Sequence, residues 1–277
     1  MELRARAVAE GALAGRHRSR RRGRAMEFSG HRPYTPSDDW RRIDWRAFAR
    51  TDRWVVREDE TEANRRVLIL LDVSASMGFH GPARLSKLRT GAILSAALAY
   101  GLIRRGEAVG AALVADGVRE SLPIRAGGNH LAPILDLLDR AEPEGRTRLP
   151  EAMEEALASE KRRTWVIVVS DFWFDGDDPL PAFRFLRARG HEAAVLCPLD
   201  PLETELSMEG ETLFRDMENG QTIPASPDDI RGAYRTLAEE RFTRMERALA
   251  SLQTPSVRCF TDRPLDESLA HFLEKVR

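Results

Sequence analysis

Three oxygen-bearing side chains stand at alternate positions in Asp72-Val73-Ser74-Ala75-Ser76, directly after the apolar run Val67-Leu68-Ile69-Leu70-Leu71. Five apolar residues in a row predict a strand buried on both faces, so the polar trio belongs to the loop that leaves it. In open α/β sheets, ligands bind outside the carboxyl ends of the strands. Hard side-chain oxygens at that point suit a hard divalent cation, Mg2+ or Mn2+. Asp and Ser also cap helices, but one residue is enough for a cap and three in register exceed the need. A second apolar run, Trp165–Val169, ends in Ser170-Asp171. In a parallel sheet Asp171 emerges at the same edge as Asp72. Between them Gly145-Arg146-Thr147 precedes a helix expected from Leu149, so Thr147 either adds a hydroxyl from a third loop or caps that helix. The candidate metal-ligating set is Asp72, Ser74, Ser76, Thr147 and Asp171, an oxygen cage with one position left open.

The elements that must position these residues alternate along the chain. Strands are expected at Val67–Leu71, Ala108–Val114, Arg119–Ile124, Trp165–Val169 and Ala193–Leu199, with a last one at Ser256–Phe260. Helices are expected at Leu85–Arg104, Leu131–Arg140, Leu149–Ser159, Pro181–Arg189 (closed by Gly190) and Leu265–Val276. A long helix should start at Ser226, with Pro227 in its first turn and Asp228 and Asp229 at the positive end of its dipole, and run to about Leu252. This order predicts a mostly parallel central sheet flanked by helices. Asp116-Gly117 marks a hairpin that adds one antiparallel strand at an edge. Residues 200–226 read as irregular, with a hairpin at Glu218-Asn219-Gly220. The chain divides into an N-terminal flanking segment, 1–64, and an α/β domain, 65–277, whose last part (200–277) carries the irregular hairpin and the long helix.

Composition narrows the function. The chain has 277 residues, a net charge of −1 and 42% hydrophobic residues. Nothing global favours nucleic acid or a membrane surface. No apolar stretch reaches the roughly 18 residues that span a bilayer, and the N-terminus has no apolar signal core, so a cytoplasmic location is expected. Cys197 and Cys259 both lie in apolar runs and read as small hydrophobes in a reducing compartment. Lysine is scarce: only Lys87, Lys161 and Lys275 occur, against many arginines. The basic run His17–Arg24 is short and reads as a solvated face, which makes nucleic-acid binding a minor reading.

Asp72-x-Ser74-x-Ser76 followed by Met77, with Thr147 and Asp171 downstream, resembles the metal-ion-dependent adhesion site of von Willebrand factor A domains. The resemblance implies a Rossmann-like α/β fold with the cation on top of the sheet. It implies Ser74, Ser76 and Thr147 as inner ligands, Asp72 and Asp171 as charged supports, and an acidic residue of a partner protein in the open position. A second resemblance covers most of the chain. Tyr34-Thr35-Pro36-Ser37-Asp38-Asp39-Trp40-Arg41-Arg42-Ile43-Asp44-Trp45 and Ala49-Arg50, followed by the Asp-x-Ser-x-Ser loop, Ser170-Asp171-Phe172, Asp200-Pro201 and a long helix with Tyr234, resemble the bacterial and archaeal DUF58 family. Ser37 stands where that family commonly has glycine. The resemblance implies work with a MoxR-type AAA+ ATPase, as an adaptor in assembling or remodelling other proteins. The 26–64 segment, with Trp40, Trp45, Trp54 and one apparent strand at Trp54–Glu60, reads first as a packed flank and second as a partner surface.

A non-enzymatic, cation-dependent binding module competes with a Mg2+-dependent phosphohydrolase on a similar sheet. Phosphatases of the haloacid-dehalogenase type need a second Asp two residues after the first, where this chain has Ser74. That replacement removes the acid/base partner of an aspartyl nucleophile. A Gly-x-x-x-x-Gly-Lys phosphate loop is absent as well.

Overall fold

The computed structural model of the chain describes residues 1–19, 28–33, 55–59, 65–82, 85–173, 179–217 and 220–276. The Tyr34–Trp45 signature, Ala49-Arg50, Trp54 and most of the basic run lie outside the described residues, as do Glu218 and Asn219 of the expected hairpin tip.

The helices are α1 (Glu2–Ser19), α2 (Lys87–Arg104), α3 (Leu131–Asp139), α4 (Leu149–Leu157), α5 (Leu180–Ala188), α6 (Pro201–Glu205), α7 (Pro227–Ser251) and α8 (Leu265–Lys275). The strands are β1 (Phe28–Pro33), β2 (Val55–Asp59), β3 (Arg66–Asp72), β4 (Ala108–Val114), β5 (Val118–Arg125), β6 (Trp165–Val169), β7 (Glu192–Leu199), β8 (Thr212–Arg215), β9 (Thr222–Ala225) and β10 (Ser256–Phe260). Six of them form the central sheet in the order β10-β7-β6-β3-β4-β5. All its pairs are parallel except β4–β5, so the antiparallel strand lies at an edge, as the Asp116-Gly117 turn predicts.

Strand alternation divides the core into two layers. Val67, Ile69 and Leu71 of β3 face one side with Ile167, Val169, Ala194, Leu196, Val257 and Cys259, under α1, α2, α3 and α8. Leu68 and Leu70 face the other side with Val166, Val168, Val195, Cys197 and Leu199, under α4, α5 and α7. With both faces covered, the strands read as continuous apolar runs, which is why they were legible. Helix α1 belongs to the first layer: its Ala5, Ala9 and Ala12 are buried there. Small side chains at that spacing let it lie close to α2 and α8.

Two elements depart from expectation. Among the described residues before 64 there are two strands where one was expected, since β1 pairs antiparallel with β2. Its sequence, Phe28-Ser29-Gly30-His31-Arg32-Pro33, has no alternation and ends in Pro, so it carries no strand signal. The stretch 200–226 also opens with a short helix, α6, that was not expected, while the antiparallel pair β8–β9 is the hairpin expected around Glu218-Asn219-Gly220. Ser226 is the N-cap residue of α7, but its side chain makes no capping bond.

Helix α2 is buried over most of its circumference, and it carries the residue that matters most to the site at its first position. It comes close to the sheet at Gly91, where an added Cβ would lie 2.9 Å from Val169 Cγ1 and 3.1 Å from Leu71 Cδ1. At Gly101, in the same helix, nothing lies within 4 Å of such an atom. Gly91→Ala is therefore expected to cost about 1–3 kcal/mol through overpacking. Gly101→Ala is expected to gain up to about 1 kcal/mol from helix propensity. Urea denaturation of the two variants checks this, and equal effects would refute the close approach.

Candidate functional site

The loops after β3, after β6 and before α4 meet at the carboxyl end of the sheet. The first two are adjacent because β3 and β6 are paired in register, Leu71 opposite Val169. The third is joined to the first by two backbone bonds, Ala75 N–H to Gly145 O (2.9 Å) and Glu144 N–H to Val73 O (2.7 Å). Asp72, Ser74, Ser76, Thr147, Ser170 and Asp171 are all buried there.

Asp72 is the centre of the hydrogen bonding. Its Oδ1 accepts the Ser74 N–H at 2.8 Å. Its Oδ2 accepts the Ser170 hydroxyl at 2.7 Å and the Thr147 hydroxyl at 3.4 Å. The Ser74 and Ser76 hydroxyls lie 3.2 Å apart. Ser74 precedes a 3-10 turn, Ala75–Gly78, yet its side chain makes no capping bond. Thr147 lies one residue outside the N-cap of α4, which is Arg148, and its hydroxyl points to Asp72. The structure thus brings the β3-loop residues and Thr147 together around one carboxylate.

Asp171 has a different environment. Its Oδ1 accepts the Trp173 N–H at 2.9 Å, and its Oδ2 accepts from Lys87 Nζ at 2.7 Å. The same ammonium reaches both carboxylate oxygens of Glu203 on α6, at 2.8 and 2.6 Å. Lys87 is fully buried and Glu203 nearly so. Between Asp171 and Trp173, Phe172 adopts φ 53°, a left-handed conformation that costs a bulky residue on the order of 1 kcal/mol or more. The turn is held by the Phe172 N–H bond to Ser170 Oγ (3.1 Å) and by Trp173, which packs on Tyr234 and Phe242 of α7. The Tyr234 hydroxyl donates to Glu203 O at 2.8 Å, so α7 supports α6 as well.

Asp200, at the end of β7, closes this pole of the sheet. Its Oδ2 accepts from the Gly81 N–H (3.0 Å) and the Thr261 hydroxyl (2.9 Å), and its Oδ1 from the Leu202 N–H (2.9 Å). Gly81 must be glycine for this approach, because an added Cβ would lie 2.8 Å from Asp200 Oδ1.

The electrostatics follow from burial. Burial pushes the Asp72 carboxyl up to about 6, and the neighbouring Asp171 charge adds to the rise. Burial pushes Glu203 up to about 7 against the pull of Lys87. For Lys87, burial alone favours the neutral amine, but Asp171 and Glu203 reverse this and hold its pKa above the ordinary value. Two carboxylates, Asp171 and Glu203, therefore hold one buried ammonium, with the Asp72 carboxylate beside Asp171. Among the described residues no group of three or more His, Cys, Asp or Glu is arranged to hold a metal ion. The candidate set offers two carboxylates and three hydroxyls, a donor set that suits Mg2+ or Mn2+ and not a soft metal. The residues fit such a cation at Asp72, Ser74, Ser76 and Thr147. Asp171, with both oxygens already engaged, fits as a charged support.

Sequence reasoning passed over Lys87, Ser170 as a bonding partner, and Glu203. The available signal was the scarcity of lysine, one of only three in an arginine-rich chain.

A carboxyl whose pKa is raised by folding stabilises the protein below its unfolded pKa of about 4, and that contribution is lost as pH rises through about 6. In cation-free buffer, Asp72→Asn is therefore expected to gain stability relative to wild type between about pH 4 and pH 7, on the order of 2 kcal/mol. Urea denaturation across that range reads it. A difference that stays constant with pH would contradict the raised pKa.

Comparison with known proteins agrees with this architecture. Uncharacterized proteins of Mycobacterium tuberculosis and Mycobacterium bovis are 27% identical over 283 residues, covering 100% of this chain and 88% of theirs. The crystal structure of BatB from Bacteroides thetaiotaomicron, a conserved hypothetical protein, is similar with a TM-score of 0.52 at 19% identity, over 76% of this chain and 98% of that one. An aerotolerance-related membrane protein from Bacteroides fragilis gives a TM-score of 0.51 at 17% identity, with the same coverage. A von Willebrand factor type A structure from Catenulispora acidiphila is similar with a TM-score of 0.44 at 13% identity, over 80% of this chain and 43% of that one. Among the described residues of the present chain, no helix is long and apolar enough to cross a membrane. The family model described as "Protein of unknown function DUF58" matches residues 30–244, and the chain belongs to that family.

Proposed function

We propose that this protein is a non-enzymatic interaction module that binds a partner protein through a divalent cation, Mg2+ or Mn2+, held by Asp72, Ser74, Ser76 and Thr147 and supported by Asp171. The observation that carries the reading is the convergence of the loops after β3, after β6 and before α4 on the Asp72 carboxylate, with the hydroxyls of Ser74, Ser76, Thr147 and Ser170 and the Asp171 carboxylate beside it. A cation there would complete its shell with a carboxylate from outside, which selects a partner presenting an acidic side chain. The partner class we infer, from the family resemblance, is a MoxR-type AAA+ ATPase or its client. The module would then act as an adaptor in assembly or remodelling. Ser74 in place of a second aspartate argues against aspartyl phosphotransfer at Asp72, because no acid/base group stands two residues from the would-be nucleophile.

The test is affinity capture from native cytosol read by mass spectrometry, with wild type in Mg2+, wild type in EDTA, and Asp72→Ala in Mg2+. The expected result is a partner retained only in the first condition, while Asp72→Ala keeps its folded circular dichroism spectrum. A partner retained in all three would assign the interaction to another surface. Loss of the partner in an unrelated surface variant as well would overturn the role of Asp72. Cation-dependent turnover of a phosphate ester that disappears in Asp72→Ala would replace the reading with that of a phosphohydrolase.

A further inference from the structure

Lys87 is the one ammonium buried among the described residues, and it is placed against the candidate cation site. It lies 2.7 Å from Asp171 Oδ2 and 2.6 Å from Glu203 Oε2, with no exposure of its side chain. Its backbone N–H donates to Phe79 O at 3.2 Å, which ties the start of α2 to the end of the Asp-x-Ser-x-Ser loop. The Phe79 ring lies 5.6 Å from Nζ and closes the ammonium off on that side. A side chain this enclosed cannot swing into solvent, so its charge is a fixed part of the pole. Asp171 supplies negative charge both to Lys87 and to the space beside Asp72.

We propose that Lys87 is an internal counter-ion that competes with the divalent cation for the charge of Asp171, and that the division of Lys87 between Asp171 and Glu203 sets the cation affinity of the site. The inference rests on the cation-site reading above and adds a determinant outside the ligand set. Two charges held at short range in a poorly solvated site repel strongly. A cation entering beside Asp72 therefore meets repulsion from Lys87 and attraction from Asp171 and Glu203. Glu203 draws the ammonium away from Asp171 and contributes its own negative charge, so both of its effects favour the cation. Because α6 carries Glu203 and its carbonyl is held by Tyr234, the position of α6 against α7 decides how much of Lys87 remains on Asp171. Without cation, Lys87 keeps the carboxylates from facing one another unopposed, so the pole stays folded.

The two residues make opposite predictions. Lys87→Met is expected to bind Mn2+ and Mg2+ roughly tenfold or more tightly than wild type, and to show a larger rise in melting temperature when cation is added. Glu203→Gln is expected to bind them roughly tenfold more weakly. Isothermal titration calorimetry of the full chain with MnCl2 and with MgCl2, without any partner, reads both. Circular dichroism in EDTA reports whether each variant is folded. If Lys87→Met folds only with cation present, that supports a counter-ion role, and Glu203→Gln then decides the affinity claim. Equal affinities in wild type and the folded variants would overturn the role of Lys87 and leave the cation site standing. Absence of binding at millimolar cation in wild type and in both variants would overturn the cation site and this inference together.

Discussion

A buried ammonium shared by two carboxylates holds the upper pole of this fold in place. Moving an ammonium or a carboxylate out of water costs several kcal/mol each unless the charges are paired with good geometry. Lys87, Asp171 and Glu203 satisfy that condition by drawing on three separate elements: the first residue of α2, the end of β6 and the helix that follows β7. The positions of these elements are therefore not independent. The register of β3 against β6 puts Asp72 next to Ser170, the residue before Asp171. The close contact of Gly91 with Val169 and Leu71 sets how near α2 lies to the sheet, and with it the reach of Lys87. Asp200 adds a second tie across the same pole, from the loop at Gly81 to Thr261 beyond β10.

The pole combines strain with rigidity. Phe172 is held left-handed between two side-chain-to-backbone bonds, and the next residue, Trp173, packs on aromatic rings of α7. Backbone strain of this kind persists where the surroundings over-determine the conformation. Here they do so by fixing both neighbours of Phe172: Asp171 against Lys87 and Trp173 against Tyr234 and Phe242. The result is a set of oxygens held at the strand ends before any ligand arrives.

Much of this was legible in the sequence because fully buried parallel strands announce themselves as apolar runs, and polar residues that follow such runs stand out. Asp72, Ser74, Ser76 and Asp171 were found in that way, and the structure gathers them with Thr147 at one end of the sheet. Lys87 was not found, because a lysine in the first turn of an amphipathic helix normally reaches water and its sequence looks the same either way. Glu203 was hidden because residues 200–226 read as irregular, so nothing marked the short helix α6 that carries it. Neither residue follows a strand directly, and only tertiary packing brings them to Asp171. β1 was missed because pairing with β2, and not its own composition, makes it a strand.

The antiparallel edge strand β5 has a consequence for how copies of this protein can meet. A free sheet edge is a template onto which another chain can add a strand. In β5 that template is interrupted. Pro123 has no N–H to offer, its carbonyl is bonded to His130 Nε2 at 2.9 Å, and Arg119, Glu120 and Arg125 place charge along the strand. Growth of the sheet by strand addition is thus blocked on the β5 side. A neighbouring copy would find fewer free backbone groups on this edge than on an uninterrupted strand.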